Sequence, residues 1–268
     1  MDDNYQDYVN RVVQMTLPTA YRAQLEFIQQ SPKFIHHADG KVDTAYFPGY
    51  SIVTPPGRED EQNWGMYEKM QEYQQKIKQV FDQAGYDNFI VPVTIDSFHF
   101  TVADLIWHTA FLDANQDPEF ETKLRSLIGE ILEDCQDLEP QITKMRWQVI
   151  GIMLRTRAIG VCLAPSDAET YKKTLEIRRK VYQNSDLMAL GIEQQYHFTG
   201  HLTLGYFGKI PANLNRDKLA ESLNELNQQW LDSQNDFSFD RIELRKFEDM
   251  INYHRQPDWP FLQLREVK

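Results

Sequence analysis

Apolar residues recur along this chain with two different periods, and the changes of period divide it into elements. From Asn63 to about Ala84, Met66, Tyr67, Met70, Tyr73, Ile77, Val80 and Phe81 fall at three- and four-residue steps, with Gly85 as a stop, which predicts an amphipathic helix. The same spacing predicts helices from about Pro118 to Cys135, from about Ser166 to Leu190 and from about Asn215 to Asp232. Pro18 separates two short helices in the first thirty residues, because proline is tolerated at a helix start and breaks an interior. Alternating or wholly apolar runs predict strands at YSIVTPP, NFIVPVT and SFHFTVADLIW. KMRWQVIGIML and RAIGVCLAP follow, joined by a tight hairpin at Arg155 and Thr156, and then YHFTGHLTLGYFG, FSFDRIELRKF and WPFLQLREV. SPKFIHHADGKVDTAYFPG reads as a loop with turn signals at Asp39-Gly40 and Pro48-Gly49.

Taken in order, these elements predict an α+β fold of two pseudo-symmetric lobes. Each lobe places helices on the outer face of a mostly antiparallel sheet, and the free faces meet as a V whose central groove is the natural ligand site. Residues 1–35 are expected to be a helical extension, and residues 36–268 the bilobal domain.

Composition narrows the class of partner. With 41% hydrophobic and 12% aromatic residues in 268, the chain has the makings of a folded core. A net charge of −12 argues against gripping an extended nucleic-acid duplex, whose binding draws on a basic surplus, and leaves small nucleotides or RNA ends open. No apolar run approaches the roughly 20 residues needed to span a bilayer, and the first residues lack a basic segment followed by an apolar one, so a cytoplasmic location and no membrane partner are expected. Cys135 and Cys162 lack CxxC spacing and suggest neither a disulfide framework nor a thiolate zinc site. Nothing in the composition sets an oligomeric state.

The chemistry is concentrated in three copies of His-x-Thr: His99-Phe-Thr101, His197-Phe-Thr199 and His201-Leu-Thr203. Residues two apart on a strand share a face, so Phe98, Phe100 and Val102 are expected under the helices, with His99 and Thr101 in the groove. The same parity puts Leu202 and Leu204 inside, and His201 and Thr203 opposite. Two imidazoles facing each other suit phosphodiester chemistry, because both protonation states are available near neutral pH. One His takes a proton from water or a ribose hydroxyl and the other gives one to the leaving oxygen, while each Thr hydroxyl bonds a non-bridging phosphate oxygen. No metal or other cofactor is called for.

Two motifs one lobe apart, HFTV at 99–102 and HLTL at 201–204, resemble those of the 2H phosphoesterase superfamily. The resemblance covers roughly residues 45–268 and implies a bilobal fold acting on 2′,3′-cyclic phosphates, 2′-5′ linkages or related cyclic nucleotides, as in cyclic phosphodiesterases and RNA 2′-5′ ligase-like proteins. The phrases AYFPGYSIV, FHFTVADL and RKFEDM are similar to those of a little-characterised branch found in bacteria and fungi. Family members also tend to carry an arginine entering the strand before the helix that leads to the second motif, and Arg157 stands there as a phosphate contact.

His197 and Phe207 share the parity of His201 and are candidate substrate contacts: His197 either contacts a base or ribose or ends the strand, and Phe207 either stacks on a base or packs in the core at the lobe junction. His197 lies about 13 Å from His201 at roughly 3.3 Å per residue, too far to share one phosphate atom. Two competing readings follow from the same residues. His197-x-x-x-His201 would place two zinc ligands on one face of a helix, but the β-branched and aromatic residues around it favour a strand, and the Glu of the zinc-protease motif is absent. A non-catalytic nucleotide- or RNA-end-binding module with the same fold is the other. Sequence leaves open which histidine is acid and which is base.

Overall fold

The computed structural model describes residues 2–139, 141, 143–231 and 236–264. The expected helix end at Asp232 and the end of the expected last strand, 265–267, lie outside the described residues. In chain order the helices are α1 (Tyr5–Met15), α2 (Pro18–Leu25), α3 (Trp64–Gln83), α4 (His108–Ala114), α5 (Phe120–Asp134), α6 (Ala168–Tyr182), α7 (Ser185–Ala189) and α8 (Arg216–Leu231). The strands are β1 (Phe34–His36), β2 (Val42–Thr44), β3 (Gly49–Val53), β4 (Ile90–Pro92), β5 (Thr101–Trp107), β6 (Met145–Leu154), β7 (Ala158–Pro165), β8 (His201–Phe207), β9 (Asp236–Phe239), β10 (Arg241–Phe247), β11 (Tyr253–His254) and β12 (Phe261–Gln263).

The fold is α+β, with two five-stranded antiparallel sheets that form the two lobes. One has the order β11-β10-β3-β5, with β12 also on β10, and the other the order β4-β8-β7-β6-β9. Helices α3 and α8 pack on the second sheet, while α6 packs on β5 and α5 on β12 of the first. The lobes are not the two halves of the sequence. β4 precedes the first His-x-Thr yet pairs with β8, and β10 to β12 come last in the chain yet complete the sheet of β3 and β5. FSFDRIELRKF, read as one strand, is therefore two: β9 pairs with β6, and the chain then crosses at Asp240 to pair β10 with β3. The alternation runs on through the crossing, so periodicity carries no mark of it.

Two other sequence expectations are corrected, and one helix is added that the sequence reading did not contain. The segment from Ser166 to Leu190 is two helices, because Asn184 interrupts it and accepts from the amides of Asp186 and Leu187 as the cap of α7. The loop after Pro32 contains the β1–β2 hairpin, which turns at Gly40 with φ +85°. Helix α4 starts directly after β5, at His108, whose φ of 52° reverses the chain; its seven residues are too short for a readable period.

Aromatic packing joins the sheets beneath the groove. The ring of Phe100, between the first His and Thr, lies 4.8 Å from Trp147 of β6 and 5.2 Å from Phe239 of β9. Such pairs add to the energy of area burial. Helix α1 joins this cluster through Tyr8, whose hydroxyl donates to the Leu163 carbonyl at 2.9 Å and accepts from the Gly200 amide at 2.9 Å. No helix among the described residues is long and apolar enough to cross a membrane.

Candidate active site

A cavity of about 560 Å³ opens between the two sheets, and both His-x-Thr strands contribute to it: His99 and Thr101 from one side, His201 and Thr203 from the other. The residues between them point away, with Phe98, Phe100, Val102, Leu202 and Leu204 buried in the core. Hydrophobic drive on one face of each strand thus fixes which residues face the cavity.

The two imidazoles are held by the same local device. His99 Nδ1 donates to the Ser97 carbonyl at 2.7 Å, and His201 Nδ1 donates to the Thr199 carbonyl at 2.7 Å. A carbonyl can only accept, so the proton stays on Nδ1 and each Nε2 is left to do chemistry. Around His201, Arg155 donates from Nη1 to Nε2 at 3.0 Å. Beside His99, the Tyr253 ring packs with its centre 4.3 Å from the imidazole. Burial at the bottom of the groove pushes His99 down from 6.5 to about 4. Burial, and then the Arg155 charge, push His201 down to about 3. Both imidazoles are therefore neutral in the free protein at neutral pH.

Each strand carries a bulge that decides what else faces the cavity. The β3–β5 register runs from Val53 opposite Thr101 to Ile52 opposite Ala103, so Val102 is the extra residue. The β7–β8 register runs from Gly160 opposite Thr203 to Ile159 opposite Gly205, so Leu204 is the extra residue. A bulge reverses side-chain parity beyond it. Asp104 consequently lines the cavity on the first strand and Tyr206 on the second; β5 has a second extra residue, Leu105, between the pairs Ser51–Asp104 and Tyr50–Ile106, which restores the parity and brings in Trp107, and none of the three is expected from the alternation.

The same bulge at Leu204 turns Phe207 away from the cavity. It is fully buried, its ring centre 5.4 Å from that of Phe89. His197 is also absent from the cavity lining, because the strand begins only at His201. The His197 ring is half exposed and its Nδ1 stands 4.0 Å from Asp3. Arg11 of α1 donates to Thr199 Oγ1 and to the Phe198 carbonyl, so the third His-x-Thr is tied to the N-terminal helix. Gly200 follows because a Cβ there would come within 3.0 Å of the Phe100 and Trp147 rings.

The cavity is cationic within an acidic protein. Lys33, Arg155 and Arg157 line it against one carboxylate, Asp104, whose Oδ1 accepts from Ser51 Oγ at 2.9 Å. The partners of the three cations are neutral: Lys33 sits over the rings of Phe47 and Tyr206, Arg155 over that of Tyr196, and Arg157 donates to Gln29 at 3.2 Å. Among the described residues no carboxylate pairs with any of them. Positive charge focused in a cleft draws anions despite a net −12. Sequence reading singled out Arg157 and missed Arg155, because a residue in a hairpin turn gives no sign of which way it points. No group of three or more His, Cys, Asp or Glu side chains among the described residues is placed to hold a metal ion.

No known family model matches the chain, and no curated protein matches it. Among solved structures it is similar to a conserved protein of unknown function from Agrobacterium tumefaciens, at 14% identity over 88% of this chain and 96% of that one, with a TM-score of 0.57. Weaker likenesses are to Kluyveromyces marxianus Usb1 with uridine monophosphate, at 12% identity over 81% and 98% of the chains with a TM-score of 0.46, and to E. coli LigT complexed with 3′-AMP, at 12% identity over 82% and 96% with a TM-score of 0.39. The likeness to the Agrobacterium protein is one of fold, and it extends over most of both chains.

Proposed function

We propose that the chain is a metal-independent phosphodiesterase of the 2H type, which hydrolyses a cyclic phosphate or a 2′-linked nucleotide or RNA end. The reading is supported above all by the twin placement of two His-x-Thr pairs across one cation-lined cavity. Each pair supplies an Nε2 for proton transfer and a hydroxyl for a phosphate oxygen, and each imidazole is oriented by a main-chain carbonyl. Lys33, Arg155 and Arg157 supply positive charge where a phosphodiester gathers negative charge on the way to the transition state. A cavity of about 560 Å³ is in the range of sites for nucleotide-sized ligands.

Water or a ribose hydroxyl attacks phosphorus as it loses its proton to one Nε2. The other Nε2, protonated after the anion has entered, gives a proton to the departing oxygen. Both histidines are neutral in the free protein, so the substrate's own negative charge is what brings the second proton into the site.

The test is hydrolysis of a short RNA ending in a 2′,3′-cyclic phosphate in excess EDTA, with the His99→Ala/His201→Ala double variant run beside the wild type. Ring opening by the wild type alone is the expected result. Stoichiometric binding of a cyclic nucleotide without turnover would replace this reading with the binding module.

A further inference from the structure

The two histidines are equivalent in backbone and unlike in charge. At the fifth residue after each His, the two bulged strands present different groups to the cavity, Asp104 beyond His99 and Tyr206 beyond His201. The Arg155 guanidinium, from the turn between β6 and β7, makes its hydrogen bond to only one imidazole, His201, at 3.0 Å. A guanidinium has no acceptor, so this bond forms only while His201 Nε2 carries its lone pair.

We propose that Arg155 and Asp104 divide the labour of the histidine pair, keeping His201 unprotonated as the proton acceptor and His99 as the proton donor. The inference rests on the phosphodiesterase reading for its chemistry, and on the geometry for its direction. Facing His99 are the Asp104 carboxylate of its own strand, which favours a charged imidazole, Arg245 of β10 and Lys33 ahead of β1, which oppose it, and the Tyr253 ring of β11. The charged and titratable groups that act most on His201 are Arg155, His99 and Lys33, all of which oppose its protonation. When a phosphodiester enters, Arg155 moves from Nε2 to a non-bridging phosphate oxygen. The lone pair is then free, and a positive charge remains nearby to discourage protonation before the attack.

The step balances as follows in hydrolysis of a cyclic phosphate. A bond forms between phosphorus and the water oxygen, and one ring bond from phosphorus to a ribose oxygen breaks. His201 Nε2 takes the proton that water loses, and His99 Nε2–H gives its proton to the ribose oxygen. Exchange with solvent then returns the positive charge to His99. Arg155 and Asp104 act through the imidazoles and are positioning residues.

Order of protonation is read directly by following the imidazole Cε1–H resonances of the free protein as pH is lowered from neutrality. His99 should take its proton before His201. Arg155→Gln should raise the His201 midpoint more than that of His99, and Asp104→Asn should lower the His99 midpoint. Protonation of His201 first, or an order that ignores both substitutions, would overturn the inference whether or not the protein turns anything over. Turnover supplies the second reading, using a 2′,3′-cyclic phosphate and its analogue with sulfur in place of the leaving oxygen. A thiolate leaves without a proton, so His99→Ala should lose roughly 10²- to 10⁴-fold on the oxygen ester and recover most of that on the sulfur ester, whereas His201→Ala should lose equally on both. Rescue of His201→Ala instead would also overturn it. Failure of the wild type on both esters counts against the phosphodiesterase reading, and the titration still decides the charge asymmetry.

Discussion

The two His-x-Thr strands are near copies in their backbone and diverge in the side chains that surround the imidazoles. In both, Nδ1 donates to the carbonyl two residues earlier, and an extra residue stands three positions after the histidine. In both, the carbonyl of that extra residue is caught by a buried polar side chain from a helix: Arg178 of α6 donates to Val102, and Gln74 of α3 donates to Leu204 at 2.6 Å. Beyond the bulge the copies part, with Asp104 facing the cavity from one strand and Tyr206 from the other. Hydrogen-bonded backbone thus fixes where two Nε2 atoms and two hydroxyls stand, and the other side chains that line the cavity decide how charge is shared between them. The first must be duplicated for a paired mechanism; the second must not.

The largest effect on this comparison is expected from removing either imidazole. His99→Ala and His201→Ala should each lower kcat on a cyclic phosphate by roughly 10²- to 10⁴-fold while leaving the thermal midpoint near that of the wild type. Unchanged activity in either variant would show that the strands are duplicated in shape alone.

Acid stability comes next in size. Burial depresses both imidazoles from 6.5, His99 to about 4 and His201 to about 3, so between those values and 6.5 the unfolded chain binds more protons than the folded one. Their contribution is complete above pH 6.5 and is lost as pH falls through the folded values, at up to about 1.4 kcal/mol per pH unit for each histidine. Urea midpoints measured across this range should fall with acidification, and less steeply in His99→Gln and His201→Gln. The flattening should reach lower pH in His201→Gln, whose wild-type partner Arg155 extends the window. Parallel curves in all three proteins would mean that the folded state protonates both rings freely.

The sequence made the duplicated part of the site legible and left its asymmetry hidden. His99, Thr101, His201 and Thr203 stand out because strand parity and hydrophobic alternation agree on both sides of each motif. Parity counting then fails one turn of the pattern later, at Val102 and Leu204, where a single extra residue brings Tyr206 and Asp104 to the cavity and buries Phe207. The extra residues Val102 and Leu204 are apolar like the core positions around them, and only Gly205, next to the second bulge, departs from the strand pattern. Arg178 gives no sign of its place either: it stands in the charged run EIRRKVYQ, yet it is buried, with its guanidinium over the rings of Phe198 and Tyr182. The exchange of β4 and β10 between lobes is equally silent, because a strand's pattern says which face is buried and not which sheet it joins.

The two bulge anchors give the finest test, because they differ in what remains when the side chain is lost. Arg178→Met keeps the aliphatic packing between the rings but takes the charged guanidinium donor from the Val102 carbonyl; a loss of about 1–3 kcal/mol is expected in urea unfolding. Asp104, two residues on, should lose its fixed place in the cavity, so the acid-base asymmetry should weaken along with stability. Gln74→Leu removes the corresponding donor from Leu204, a carbonyl that still accepts from the Val93 amide at 3.1 Å, and also the donor that Gln74 gives to the Val93 carbonyl at 2.8 Å. A loss of about 1–3 kcal/mol is therefore expected here too, but with the bulge and Tyr206 kept in place by the Val93 amide. A displacement of Tyr206 in Gln74→Leu as large as that of Asp104 in Arg178→Met would mean that helix α3, rather than the main-chain bond from Val93, holds the second bulge, and that the two strands are anchored alike from their helices.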